Sequence, residues 1–125
     1  MAHEGLHEPR ELMGEATVDR HRAIVSIMEE LEAVDWYDQR VAATQDASLA
    51  AVLAHNRDEE KEHAAMTLEW LRRHDPALDR NLRTYLFTEV PVTEVEEAAM
   101  EGSEATGTGT SDRSLGIGSL KWVAG

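Results

Sequence analysis

The chain has no cysteine. Disulfides, thiolate nucleophiles and Cys-based zinc sites are therefore excluded. Aromatics are scarce: three Trp, two Tyr and one Phe in 125 residues. A chain of this length holds one small domain, and one copy alone buries only a modest core. That favours assembly of several copies. No apolar run approaches membrane-spanning length, and Met1-Ala2-His3-Glu4-Gly5 lacks the apolar region of a secretion signal. The expected location is the cytoplasm. Bases are also few, 12 against 25 acids, for a formal charge of −13. Nucleic acid and anionic membranes are poor partners for such a surface, and cations are better ones. For any single carboxylate, a solvated face is the bland explanation.

Glycine and proline are absent from Ala16 to Thr44. Ala23, Ile27, Val34, Tyr37 and Val41 recur there at helical spacing. Glu30 falls in the gap of that seam, an anomaly because burying an unpaired charge is unfavourable. Upstream, residues 1–13 form a polar lead-in carrying His3 and His7, with Pro9 suited to a first helical turn. Thr17 is the expected N-cap, without a capping box because Arg20 stands where Glu would complete one. Thr44-Gln45-Asp46-Ala47-Ser48 breaks the pattern and offers Asp46 and Ser48 as caps. A second helix is expected from about Ser48 to Arg73, its seam reading Leu49, Leu53, Asn56, Glu60, His63, Thr67, Trp70. Asp75-Pro76 stops it and starts a short third helix supported by Leu78, Leu82, Tyr85 and Leu86. Thr88 to Thr93 reads as extended chain. Residues 1–93 thus form a helical-hairpin domain. Residues 94–113, acidic and then rich in Gly, Ser and Thr, read as a flexible linker. Residues 114–125 form an apolar-punctuated peptide and tail.

Glu60 and His63 make an E-x-x-H motif, which a helix places on one face. Four-helix di-iron carboxylate proteins draw such a motif from each of two helices and a lone Glu from each of two others. By itself the motif is near chance level, and Glu4/His7 repeats it with no helical seam around it. Register adds to it. Folded antiparallel about residue 45, the chain puts Glu30 as far before the turn as Glu60 lies after it, about 22 Å at 1.5 Å per residue. His63 follows about one turn on. Two carboxylates and an imidazole then share one level of an apolar interface. The alternative is a Glu–His pair buried at a helix crossing, costly unless well hydrogen-bonded. Glu and His suit iron, manganese or zinc. One hairpin has too few ligands for two ions, so two hairpins about a two-fold axis are expected to complete the set. The expected fold class is all-α: an antiparallel two-helix hairpin plus a short C-terminal helix, dimerising into a four-helix bundle.

Longer stretches carry a resemblance. His7-Glu8-Pro9-Arg10-Glu11-Leu12, Glu29-Glu30-Leu31-Glu32-Ala33-Val34-Asp35-Trp36-Tyr37, His55 through Trp70, and Tyr85-Leu86-Phe87-Thr88-Glu89 resemble the encapsulated ferritins, over nearly the whole chain. Ser114-Leu115-Gly116-Ile117-Gly118-Ser119-Leu120 resembles that family's cargo peptide, which docks inside an encapsulin shell. Asp112-Arg113 precede it where family members often have Gly, and Trp122-Val123-Ala124-Gly125 extend beyond it. The resemblance implies a ferritin-like bundle and an annular decamer built from dimers. It implies a ferroxidase that oxidises Fe(II) to Fe(III) at an inter-subunit di-iron centre. The ligands would be Glu30, Glu60 and His63 from each of two protomers, with Tyr37 close by. Glu29, Glu32 and Trp36 would match a site where metal comes in. On spacing alone, those three read instead as a solvated face and a packing contact, and Tyr37 and Trp70 as core. An open ring has no cavity, so storage would fall to the encapsulin shell, reached through Leu115, Ile117 and Leu120. The competing readings are a di-iron peroxidase on the same ligands and a non-catalytic metal-buffering cargo protein. His21, His55 and His74 show no partner pattern and stay outside the expected site.

Overall fold

Gly14 sets where the first long helix begins. It holds φ 85° and ψ 151°, a conformation that L side chains rarely adopt and glycine takes freely. It carries the chain from a 3-10 turn at Arg10–Leu12 into α1, Glu15–Ala43. The expected cap at Thr17 is therefore displaced upstream. Thr17 lies inside α1, and its hydroxyl accepts from Arg20 Nη2 at 3.3 Å. The computed structural model describes residues 5–106. The peptide Ser114–Leu120, the tail and the linker beyond 106 lie outside the described residues.

Thr44, Gln45 and Asp46 separate α1 from α2, Ala47–Arg73. Of the two candidate caps, Asp46 is the one used. Its carboxylate accepts the Leu49 N–H at 2.8 Å and the Ser48 hydroxyl at 2.7 Å. Those two bonds hold its pKa below the ordinary carboxylate value. Ser48 belongs to the first turn and reinforces the cap. Helices α1 and α2 pack along their length as an antiparallel hairpin. Arg57 Nη1 meets Asp38 Oδ1 across them at 3.0 Å. At the far end, Arg72 and Arg73 bond the Glu69 carboxylate and pull its pKa down to about 2.

The α1 seam is as expected: Ala23 is buried, and Ile27, Glu30, Val34, Tyr37 and Val41 are all partly shielded. The α2 seam is as expected at Leu53, Asn56, Glu60 and Thr67, which are partly shielded, but at Leu49, His63 and Trp70 the next residue takes the shielded place. Ala64 and Leu71 are its buried positions, while His63 and Trp70 are exposed. His63 therefore stands at the rim of the hairpin interface. Among the described residues only Val18, Ala23, Ala64 and Leu71 are buried. Ile24, Leu31, Val52 and Met66 stay exposed, because two helices cover only one stripe of each other and the rest needs another layer.

The chain divides into two compact units, one ending at His74 and one beginning at Asp75. In the second unit Asp75 caps α3, Pro76–Tyr85, by accepting the Leu78 N–H at 3.0 Å. A further helix, α4, spans Val92–Thr106 and packs on α3. This corrects the flexible linker expected from residue 94: up to Thr106 that stretch is helical. Pro91 accepts from the Glu94 N–H at 2.9 Å as α4 starts. The described residues contain helices and no strand, and none of these helices is long and apolar enough to cross a membrane.

Candidate metal centre

Helix α1 carries Glu30 into the interface with α2. One carboxylate oxygen, Oε1, is buried there with no hydrogen-bond partner. A buried acceptor left unpaired loses its hydration without compensation, and a carboxylate loses most. Burial raises the Glu30 pKa, opposed by the Thr67 hydroxyl, raised further by Glu60, opposed by His63, and raised again by Glu29. The Thr67 hydroxyl has one proton for two acceptors, the Glu30 carboxylate and the His63 carbonyl at 3.1 Å, and Oε1 is left without a partner.

Glu60 and His63 face Glu30 from α2, close enough that each shifts its titration. Their own contact is loose: His63 Nδ1 lies 3.6 Å from Glu60 Oε1, beyond a hydrogen bond. The Glu60 side chain is 29% exposed and the His63 side chain 50% exposed. Three metal-competent groups thus share one level of the hairpin without satisfying one another. Among the described residues, however, no three His, Asp or Glu side chains of one chain gather closely enough to hold a metal ion. The expected convergence is one of level and not of closure. Its reason is local: Ala64 takes the buried place on α2 and leaves His63 at the rim, while Glu60 stays partly shielded.

The remaining candidates lie along α1. Glu29 is exposed and near enough to act on Glu30; Glu32 is partly shielded. Trp36 is 49% exposed. Tyr37 is partly shielded, and the Arg40 guanidinium lies 5.5 Å from its ring and 6.0 Å from the Trp36 ring. Two histidines expected to lack partners have them. His55 Nε2 lies 3.1 Å from Glu59 Oε2. His74 stacks on Trp70 at 3.8 Å, and its Nδ1 meets the Trp70 carbonyl at 2.7 Å. Both are four-residue spacings, the available signal in the sequence. A cleft of about 380 Å³, lined by Leu6, Val18, His21 and Val25 among others, holds none of the candidate ligands.

A model of the EncFtn-like family matches residues 5–89, which span the whole hairpin and all three central groups. The chain belongs to the EncFtn-like family. An encapsulated ferritin-like protein of Rhodospirillum rubrum is 64% identical over 124 residues, covering 94% of this chain and 89% of the relative. A ferritin-like protein of Thermotoga maritima is 58% identical over 102 residues, covering 81% of this chain and 89% of that one. An encapsulin nanocompartment cargo protein of Myxococcus xanthus is 40% identical over 52 residues, 42% of this chain and 40% of its own. A crystal structure of a Nitrosomonas europaea protein superposes with TM-score 0.68 at 61% identity, covering 70% of this chain and 97% of that one. The family assignment thus rests on sequence, and a solved structure at 61% identity shares the shape.

The raised Glu30 pKa has a stability consequence. The folded chain binds its proton more tightly than the unfolded one. The contribution of Glu30 to metal-free stability is therefore most favourable below the ordinary value of 4.5 and is lost as pH rises through the raised folded value. Glu30→Gln removes the penalty. The metal-free variant is expected to melt a few degrees (~3 °C) above the parent at pH 7.5. The gap should close at pH 4, which paired thermal melts will check.

Proposed function

We propose that this EncFtn-like protein is a ferroxidase, oxidising Fe(II) to Fe(III) at a di-iron centre completed by a second copy of the chain. The observation that carries this reading is the buried, unpartnered Oε1 of Glu30 at the level of the loosely paired Glu60 and His63. A carboxylate in that state is stabilised by a cation, and the charge around it is wrong for an anion. Two copies together provide four carboxylates and two imidazoles, the donor set of two-iron carboxylate bundles. The rim position of His63 and the apolar residues left exposed on both helices support completion by a partner hairpin.

Iron is the substrate here. Each Fe(II) loses one electron to oxygen, and anionic ligands favour Fe(III) because the more highly charged ion gains more from them. Glu30 and Glu60 supply that compensation, and His63 binds through one ring nitrogen. Tyr37 stands near the centre, and Glu29, Glu32 and Trp36 bring iron towards it. Copies assemble into an annular decamer. The cargo name of the M. xanthus relative and the peptide 114–120 support docking in a cytoplasmic encapsulin shell through Leu115, Ile117 and Leu120. Ferric iron is then stored in the shell.

The test loads metal-free protein anaerobically with Fe(II), follows sedimentation, then admits air. Iron-dependent assembly and rapid ferric absorbance are expected. An iron-loaded species that sediments as the metal-free monomer would sink the shared site. Slow ferric absorbance at the rate of free Fe(II) would leave a metal buffer, and turnover with peroxide alone would indicate a peroxidase.

A further inference from the structure

Arg40, like Arg20 and Arg80, faces no carboxylate within 4 Å among the described residues, but of the three it alone lies over aromatic rings. Arg10, Arg22, Arg57, Arg72, Arg73 and Arg83 each face a carboxylate within 4 Å. Arg40 makes no ion pair among the described residues, in a chain of charge −13. The acids near it are engaged elsewhere: Asp38 with Arg57, and Asp35 with the Gln39 amide. Instead its guanidinium lies over two rings, 5.5 Å from Tyr37 and 6.0 Å from Trp36. Both contacts lie within the range in which a cation is attracted to a ring face.

Its place in the last turn of α1 gives a plain reading, a cation complementing the helix C-terminus. That reading explains the charge but not the choice of rings. The spacing does: one residue three positions after Tyr37 and four after Trp36 covers both at once.

We propose that Arg40 is a positioning residue that holds a positive charge over Trp36 and Tyr37 and so makes removal of an electron from either ring harder. The proposal rests on the ferroxidase reading for its biological setting. Oxygen that takes two electrons from Fe(II) and two protons from water becomes hydrogen peroxide. Peroxide that takes one further electron from Fe(II) yields Fe(III), hydroxide and a hydroxyl radical. That radical needs one more electron. Taken from Fe(II), it leaves Fe(III) and a second hydroxide. Taken from a ring, it leaves hydroxide and a ring radical cation, which sheds a proton to water. The fixed guanidinium stabilises the neutral ring and repels the radical cation. The electron is thereby drawn from iron, and the aromatic residues beside the centre survive repeated turnover.

The test begins without iron. The full metal-free chain, its R40K variant and its R40M variant receive equal doses of a photogenerated one-electron oxidant, ruthenium tris-bipyridine with persulfate. Peptide mass mapping reads oxidation at each ring. Trp70, 38% exposed against 49% for Trp36, and Tyr85, partly shielded like Tyr37, are internal standards. R40M is expected to raise Trp36 and Tyr37 oxidation at least about threefold relative to Trp70 and Tyr85, and R40K to stay near the parent. An unchanged ratio in R40M overturns the proposal. So does an equal rise in R40M and R40K, which would make ring coverage and not charge the agent. A second arm repeats the mapping after Fe(II) loading in air. Failure of iron oxidation in that arm defeats the ferroxidase reading and leaves the photo-oxidation result to stand or fall by itself.

Discussion

His63→Ala is expected to abolish paired-iron binding and to lower the initial ferroxidase rate at least about 100-fold. The size follows from symmetry. A site shared by two copies loses two imidazoles to one substitution, and carboxylates alone hold Fe(II) less firmly than a mixed set. Folding should be untouched. The His63 side chain is 50% exposed, makes no hydrogen bond closer than its loose contact with Glu60, and gives way to the best helix former. Such surface changes are usually within about 0.5 kcal/mol. Circular dichroism and thermal melts of the variant should therefore overlay the parent, so that lost activity reports lost ligands. Glu60→Ala should behave alike. Full ferroxidase activity in both variants would remove these residues from the centre.

The same region shows what the residues disclose before folding and what they do not. The α1 seam, including Glu30, is legible because five apolar positions fix one face unambiguously. The level of Glu30 with Glu60 is legible too, since helix rise is constant and Asp46 marks the turn. The α2 face was harder. Its seam contains Asn56, Glu60, His63 and Thr67 in the middle, so apolar spacing defined the face poorly. Packing selected Ala64 and Leu71, one step on, where small and branched side chains let the helices approach. That step decides whether His63 lies inside the hairpin interface or at its rim. Thr17 misled for another reason: an N-cap rule ranks side chains, but the backbone turn at Gly14 determines where the helix starts. Composition misled at α4. Acidic residues suggested a linker, yet Val92, Val95 and Ala99 keep helical spacing, and Glu94 near the N-terminus is favoured by the helix dipole.

The other large effect is expected far from the hairpin. Replacing Leu115, Ile117 and Leu120 together by alanine should reduce capture by a co-expressed encapsulin shell at least about 100-fold, read as the amount of chain co-purifying with intact shells. On the proposed reading, Leu115, Ile117 and Leu120 are the apolar side chains the peptide offers to a shell. Gly116 and Gly118 leave its backbone free to lie close to a surface, so the side chains between and beyond them must supply the binding. Full burial of one such side chain contributes about 1.5–3 kcal/mol, and truncation to alanine removes most of it. Association itself opposes binding by several kcal/mol, so three anchors leave only a modest surplus. Losing one should weaken docking by about tenfold, and losing all three should end it. Ferroxidase activity of the free triple variant should match the parent, because its candidate ligands all lie in α1 and α2. That separates packaging from chemistry in one preparation. The extension Trp122-Val123 is the remaining apolar feature nearby. If the triple variant is packaged as well as the parent while deletion of residues 121–125 is not, the anchors lie in the tail, and the assignment of Leu115, Ile117 and Leu120 fails.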